Sequence, residues 1–146
     1  MLRGNHSAKI DDKGRLKIPN AFRALVEDEH GSALYVTSLT GGSVRVYPMS
    51  VWLALEERLA RAPSINPARA RFLDRVNYFG QVTEFDSQGR VLIPPRLRES
   101  AAMAGDVDVL GQMTYLEVWN HERFLEKLAR EPFTDADAIA LAEFGI

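Results

Sequence analysis

Asp11-Asp12-Lys13-Gly14-Arg15-Leu16-Lys17-Ile18-Pro19 returns further along the chain as Asp86-Ser87-Gln88-Gly89-Arg90-Val91-Leu92-Ile93-Pro94. Both stretches read Asp-x-x-Gly-Arg, then alternate toward Ile-Pro, and each leads into an apolar residue plus arginine, Phe22-Arg23 and Leu97-Arg98. A second match lies downstream, where Val44-Arg45-Val46-Tyr47-Pro48 resembles Leu116-Glu117-Val118-Trp119-Asn120. The offset is 75 in the first match and 72 in the second, so one loop is shorter in the second copy. Two copies rather than a long array argue against a solenoid and for a duplicated small β unit whose halves pair.

Each motif reads as a β-hairpin. Ala8 to Ile10 and Arg15 to Ile18 are the arms of the first, joined by Asp-Asp-Lys-Gly. The aspartate can accept from nearby backbone amides, and glycine tolerates positive φ. In the outgoing strand Leu16 and Ile18 share one face, Arg15 and Lys17 the other. The second copy keeps Val91 and Ile93 inward and places Arg90 and Leu92 outward. Pro19 and Pro94 end the strands, because proline donates nothing to a ladder. A lone hairpin is marginal in water, so each copy needs the other, and the four inward residues are expected to meet in one β core.

The remaining pattern completes an α+β plan. Asn20 is the expected N-cap of a helix carrying Phe22, Leu25 and Val26, closed near Gly31. Its counterpart runs from about Leu97 to Met103 and closes near Gly105. Leu34 to Thr37 and Val44 to Tyr47 form a strand pair around Thr40-Gly41-Gly42. Ser50 is the expected cap of a helix burying Trp52, Leu55 and Leu59. Asn66 with Pro67 opens a connector helix toward Tyr78, and Thr134 or Asp135 caps a final helix. The aromatics Trp52, Phe72, Tyr78, Phe79, Trp119 and Phe124 read mostly as core. The expected division is repeat 1 over 5–62, a helical connector over 63–79, repeat 2 over 80–131 and a C-terminal helix over 132–146.

Length and composition bound the class. With 146 residues, 46% hydrophobic and 26% charged, the chain suits one domain with an ordinary core. No apolar run approaches the roughly 18 residues of a membrane helix. Without cysteine there is neither a disulfide framework nor thiolate chemistry. No secretory leader is read at Met1 to His6, and a cytoplasmic, nucleoid-associated protein is expected. Net charge is −2, but it is unevenly spread. Met1 to Leu25 holds six cations against Asp11 and Asp12, a local +4, and from Glu131 onward there are four anions and no cation. The basic end coincides with the first motif, the pattern expected of a nucleic-acid footprint.

Catalytic constellations are absent from the sequence pattern. His6, His30 and His121 are dispersed, without metal-ligand spacing. Asp11-Asp12 is not a repeated carboxylate pair, since Ser87 stands where Asp12 would recur. Neither nucleophile motifs nor phosphate-cradling glycine patterns occur. No enzyme, metal, cofactor, membrane or small-molecule substrate is therefore expected. Asp11 and Asp86 can order their turns, and Arg15 and Arg90 then offer a fixed guanidinium fork to a guanine edge or a phosphate. A purely structural surface ion pair would contribute only about 0–1 kcal/mol. Arg69, Arg71 and Arg75 on the connector read as a solvated helix face, a partner for a neighbouring subunit's acidic patch, or an extension of the basic surface.

The opening Met1-Leu2-Arg3-Gly4-Asn5, the hairpins Asp11 to Arg15 and Asp86 to Arg90, the Ile-Pro after each and the length together resemble the MraZ family. That family consists of bacterial transcriptional regulators built from two SpoVT-AbrB-like units. The resemblance implies a duplicated swapped-hairpin β-barrel, AbrB/MazE-like, with short flanking helices and an internal pseudo-two-fold. It also implies a ring-like homo-oligomer that binds double-stranded DNA at short direct promoter repeats. The implied role is regulation, as an autoregulatory repressor, of the division and cell-wall gene cluster. Expected DNA-binding residues are Arg3, Lys13, Arg15, Lys17 and Arg90, with Asp11, Gly14, Asp86 and Gly89 orienting the motifs. Gln88 and Leu92 stand where the first copy has Lys13 and Lys17, so the hairpins are expected to be unequal. An oligomeric scaffold without specific DNA binding and an AbrB-like antitoxin are the other readings.

Overall fold

Leu16, Ile18, Val91 and Ile93 have no solvent-exposed surface in the computed structural model, which describes all 146 residues. They meet because the outgoing strands of the two motifs, β2 (Arg15–Lys17) and β6 (Arg90–Leu92), pair antiparallel with Leu16 opposite Val91. The preceding strands exchange halves. β1 (Asn5–Ile10) pairs with β7 (Gly105–Gln112), and β5 (Gln81–Glu84) pairs with β3 (Ala33–Thr37). The registers repeat, Ala8 opposite Val107 in one half and Thr83 opposite Leu34 in the other. Between these wings β4 (Val44–Pro48) lies against β8 (Tyr115–Asn120).

The eight strands form one antiparallel sheet in the order β5-β3-β4-β8-β7-β1-β2-β6. Its ends, β5 and β6, are consecutive in the chain, and the Asp86 N–H donates to the Arg90 carbonyl at 3.0 Å. The sheet is thereby an almost closed barrel. One core cluster fills it from both halves, with Val36, Val44, Val107, Val109, Leu116 and Val118 all at 1% exposure or less. Truncating Leu116 to alanine removes packing worth about 2–5 kcal/mol. Separate barrels joined by the connector are excluded by this shared core.

Six helices flank the barrel. α1 (Asn20–His30) seals one side with Phe22 and Val26, and α4 (Pro95–Ser100) seals the equivalent side with Leu97. α2 (Met49–Arg61) and α3 (Pro67–Tyr78) cover a second, smaller cluster of Tyr47, Trp52 and Val76. The Val76 carbonyl accepts from Thr37 Oγ1 at 2.7 Å and from the Tyr35 hydroxyl at 3.0 Å, which ties the connector helix to β3. α5 (His121–Arg130) and α6 (Asp135–Ala142) complete the chain, and neither contains a buried residue.

Several local expectations are corrected. Pro19 takes the N-cap position of α1 and Asn20 is already helical, without a side-chain cap. Proline at φ −52° turns the strand directly into the helix, which leaves no separate capping position. Ser50 likewise does not cap α2, where Pro48 holds that position; its hydroxyl lies 2.6 Å from His30 Nδ1. α4 ends at Ser100, short of Met103, because Ala102 adopts φ 51° and turns the chain toward β7. Tyr78 is 57% exposed rather than core, with the Arg96 guanidinium 4.1 Å from its ring centroid. Asn66 and Thr134 do cap α3 and α6, the latter in a capping box with Asp137.

Candidate nucleic-acid interface

The two Asp-x-x-Gly-Arg turns are the same structure built twice. Asp11 Oδ1 accepts from the backbone N–H groups of Lys13 and Arg15 at 3.0 and 2.8 Å, and Oδ2 accepts from Arg15 Nε at 2.8 Å. Asp86 repeats this with Gln88, Arg90 and Arg90 Nε at 2.9, 2.8 and 2.8 Å. The Arg90 backbone N–H, then its side chain and the Gln88 N–H, hold the Asp86 carboxyl down at about 2. Asp11 is lowered by the same donors, led by the Arg15 backbone N–H. Both aspartates therefore remain ionised and keep each guanidinium in place. Only Nε of Arg15 and of Arg90 is engaged, and their terminal Nη groups have no partner in the chain.

Because β2 and β6 pair, the two motifs present one surface. The outward residues of this two-stranded ribbon are Arg15 opposite Leu92 and Lys17 opposite Arg90. Lys17 is exposed, and Leu92 is 43% exposed between cations. Lys13 stands exposed in the first turn, beside the ribbon. Lys17 directly opposite Arg90 concentrates positive charge on this one face of the ribbon. A two-stranded ribbon of this kind has the width to enter a DNA major groove.

The turns are further locked across the pseudo-two-fold. The Ile18 N–H donates to the Gly89 carbonyl at 3.0 Å, and the Ile93 N–H donates to the Gly14 carbonyl at 2.8 Å. Gly14 and Gly89 have φ of +80° and +76°, and both are buried although they belong to tight turns. Arg98 from α4 covers Gly14, and Arg23 from α1 covers Gly89, so close that an added Cβ would lie 2.5 Å from Arg98 Nη1 or 2.8 Å from Arg23 Cδ. Arg98 Nη1 also donates to the Asp12 carbonyl at 3.4 Å, while Arg23 pairs with Glu27. Neither arginine is among the site residues expected from sequence. The repeated apolar-plus-arginine step after Ile-Pro is the signal that points to them.

Arg3 is placed elsewhere. It precedes the end of β1 remote from the hairpin turn and lines a shallow cavity of about 360 Å³ with Leu2, His6 and Phe22. Its backbone lies directly against Gly111, which leaves no room there for a Cβ. The ribbon thus unites Lys13, Arg15, Lys17 and Arg90 and leaves Arg3 apart.

Fold and ribbon together define a class: two fused β units, each completed by the first strand of the other, with one arginine-bearing hairpin apiece. A family model described as "MraZ protein, putative antitoxin-like" matches residues 1–75 and 81–144. The transcriptional regulator MraZ of Acidobacterium capsulatum is 49% identical over 146 residues, covering 100% of both chains. That of Koribacter versatilis is 47% identical over 147 residues, again covering 100% of both. The one from Moorella thermoacetica is 37% identical over 141 residues, 96% of this chain and 94% of its own. The chain belongs to the MraZ family. These matched members bear the name transcriptional regulator, and no helix of the chain is long and apolar enough to cross a membrane.

Proposed function

We propose that this protein is a sequence-specific DNA-binding transcriptional regulator that reads a major groove with the β2–β6 ribbon. The observation that carries the reading is the ladder position of Lys17 opposite Arg90, with Arg15 on the same outer face and no acidic side chain among the ribbon's outward residues. Arg15 and Arg90, fixed through Nε by Asp11 and Asp86, offer their Nη groups to guanine edges or phosphates, while Lys13 and Lys17 neutralise phosphates. Gly14 and Gly89 let the turns form. Residues 5–62 and 80–131 act as the two repeats, each supplying one half of the ribbon, with 63–79 as connector and 132–146 as the C-terminal helix.

The full proposal includes assembly of several chains on short direct repeats, so that weak ribbons add by avidity when site spacing matches subunit spacing. Its target is the promoter of the division and cell-wall gene cluster that contains its own gene, with repression as the output, in the nucleoid. The family membership and the relatives' name support the regulatory class; target and output rest on the resemblance. Footprinting on the DNA upstream of its own gene tests the reading. Protection of spaced short repeats that fades steeply with salt is expected. Protection without sequence preference would sink it.

A further inference from the structure

The C-terminal segment carries an apolar surface that nothing in its own chain covers. Phe133, Ile139, Phe144 and Ile146 are 71%, 75%, 70% and 81% exposed, and no residue of α6 is buried. α6 spans eight residues, and isolated helices shorter than about 12–15 residues are marginal in water even when well capped. Its capping box orders the first turn only, so a persistent α6 needs a surface to pack on. The segment from Glu131 onward carries four anions and no cation. The complementary surface is therefore apolar at its centre and basic at its rim.

One groove of the chain has that character. Leu55, Leu59, Ala62 and Phe72, from α2 and α3, line an open cavity of about 290 Å³ together with Arg58. Arg61 and Arg71 lie exposed on the same two helices. Arg58, Arg61 and Arg71 take part in none of the ion pairs formed within the chain. Apolar floor and cationic edge match a short apolar helix with acids at its two ends, docked as a helix in a groove. The other shallow apolar cavity, beside α1, has Arg3 as its single cation.

We propose that α6 of one copy docks into the α2–α3 groove of a second copy, with Ile139 toward Leu59 and Phe72 and with Asp135 and Glu143 toward the groove arginines. The contact joins unlike surfaces, so it propagates head to tail until a rotation closes it into a ring. The inference rests on the assembled form proposed above and not on its DNA site.

The chain has no cysteine, which gives a clean cross-linking test in the full-length protein. Leu59→Cys chains and Ile139→Cys chains are mixed and treated with a short bismaleimide. A dimer-sized product from the mixture, and none from either variant alone, is expected. No product from the mixture, or an equal product from Ile139→Cys alone, overturns the proposal. So does a doubly substituted chain that cross-links only within itself, because the tail would then fold onto its own groove. In sedimentation, Asp135→Lys/Glu143→Lys should weaken self-association about tenfold or more, and mixing with Arg58→Glu/Arg71→Glu should restore most of it. Unchanged association of the lysine variant counts against the docking. If docking fails while the protein still protects its promoter repeats, the regulatory reading stands and the docking alone falls. Docking without any DNA protection keeps the assembly and overturns the regulatory reading.

Discussion

Arg45 and Glu117 occupy equivalent positions of the two repeats and face each other in the β4–β8 ladder, so the internal pseudo-two-fold passes between them. At the other end of the barrel it passes between Leu16 and Val91, equivalent positions that also face each other. In a dimer of one unduplicated repeat, the residue at the Arg45 position would meet its own copy, and like charges would repel. With both copies in one chain, the two positions can carry opposite charges. Arg45 Nε now donates to Glu117 Oε2 at 3.3 Å, Arg45 Nη1 donates to the Tyr47 hydroxyl at 3.0 Å, and Glu117 Oε1 accepts from Trp119 Nε1 at 2.7 Å. The Arg45 guanidinium lies 4.9 Å from the Tyr115 ring centroid, where cation–π attraction adds to the pair.

Glu117→Arg restores the symmetric clash and should therefore destabilise the fold. The Glu117 side chain is 14% exposed and that of Arg45 25% exposed, so solvent screens the repulsion poorly. Leaving the half-buried guanidinium unpaired costs about 1–3 kcal/mol. The exchange Arg45→Glu/Glu117→Arg should recover part of that loss. A double-mutant cycle in urea checks it, and additive effects would show that the two residues do not couple.

A side chain at either turn glycine should destabilise the fold. Gly14→Ala and Gly89→Ala each combine positive φ with a Cβ placed against an arginine of the opposite repeat. Strain of this kind costs about 1–3 kcal/mol, and each kcal/mol lowers the melting temperature by roughly 2–4 °C in a chain of this size. Arg98→Ala should relieve part of the Gly14→Ala penalty, and Arg23→Ala part of the Gly89→Ala penalty. A melting series on the six variants reads this directly. Equal penalties with and without the arginine would place the whole cost in the backbone.

Two limbs of pH dependence have opposite signs. The folded Asp86 carboxyl sits at about 2 and that of Asp11 below its usual 3.8, so their contribution is complete above the unfolded value and fades as pH falls toward 2. His121 Nδ1 lies 2.7 Å from Asp108 Oδ2, and that carboxylate is 4% exposed, with Oδ1 accepting from Asn5 Nδ2 at 3.0 Å. The bond to Asp108 and its charge, aided by Asp106 and Glu122, raise the imidazole above 6.5. Its contribution is present below the unfolded value and lost as pH rises through the folded one. Melting temperature should thus decline on the alkaline side, and His121→Asn should flatten that decline without touching the acid limb. An unchanged alkaline limb in the variant would assign the dependence elsewhere.

The hairpins are legible in the sequence because both of their causes are local. Strand alternation sets Leu16 and Ile18 against Arg15 and Lys17, and aspartate and glycine set the turn. The duplication further implies that the four inward residues meet. Alternation does not name a partner, however, and nothing local in Ala8 or Thr83 says that it crosses to Val107 or Leu34 of the other half; the family resemblance supplies that. The caps of α1 and α2 differ from expectation because a capping side chain is a weaker local signal than a proline already turning the strand. Arg23 and Arg98 are visible as a repeated step, but their covering of Gly89 and Gly14 exists only once the halves interlock. Arg3 enters the expected interface through the basic N-terminal stretch and the opening Met1 to Asn5 that carries the resemblance, and the structure places it beyond the end of β1 remote from the turn.

The ribbon yields the sharpest prediction for DNA. With the two hairpins on one face, Arg15→Ala and Arg90→Ala should both weaken binding, by about 1–3 kcal/mol where the arginine reads a base, and each should relax specificity at one position. Lys13→Ala and Lys17→Ala should weaken all sequences alike and flatten the salt dependence. Leu92 is the asymmetric member: it occupies the position equivalent to Lys17 and faces Arg15 across the ladder. Leu92→Lys completes the symmetric set of four cations. Each added phosphate contact steepens the dependence of log K on log salt by about 0.9, so this variant should bind scrambled DNA more tightly at low salt and discriminate less. The variants are compared on promoter and scrambled DNA at two salt concentrations. Normal binding by Arg15→Ala together with an unaltered slope for Leu92→Lys would remove the ribbon from the interface and return both motifs to turn chemistry.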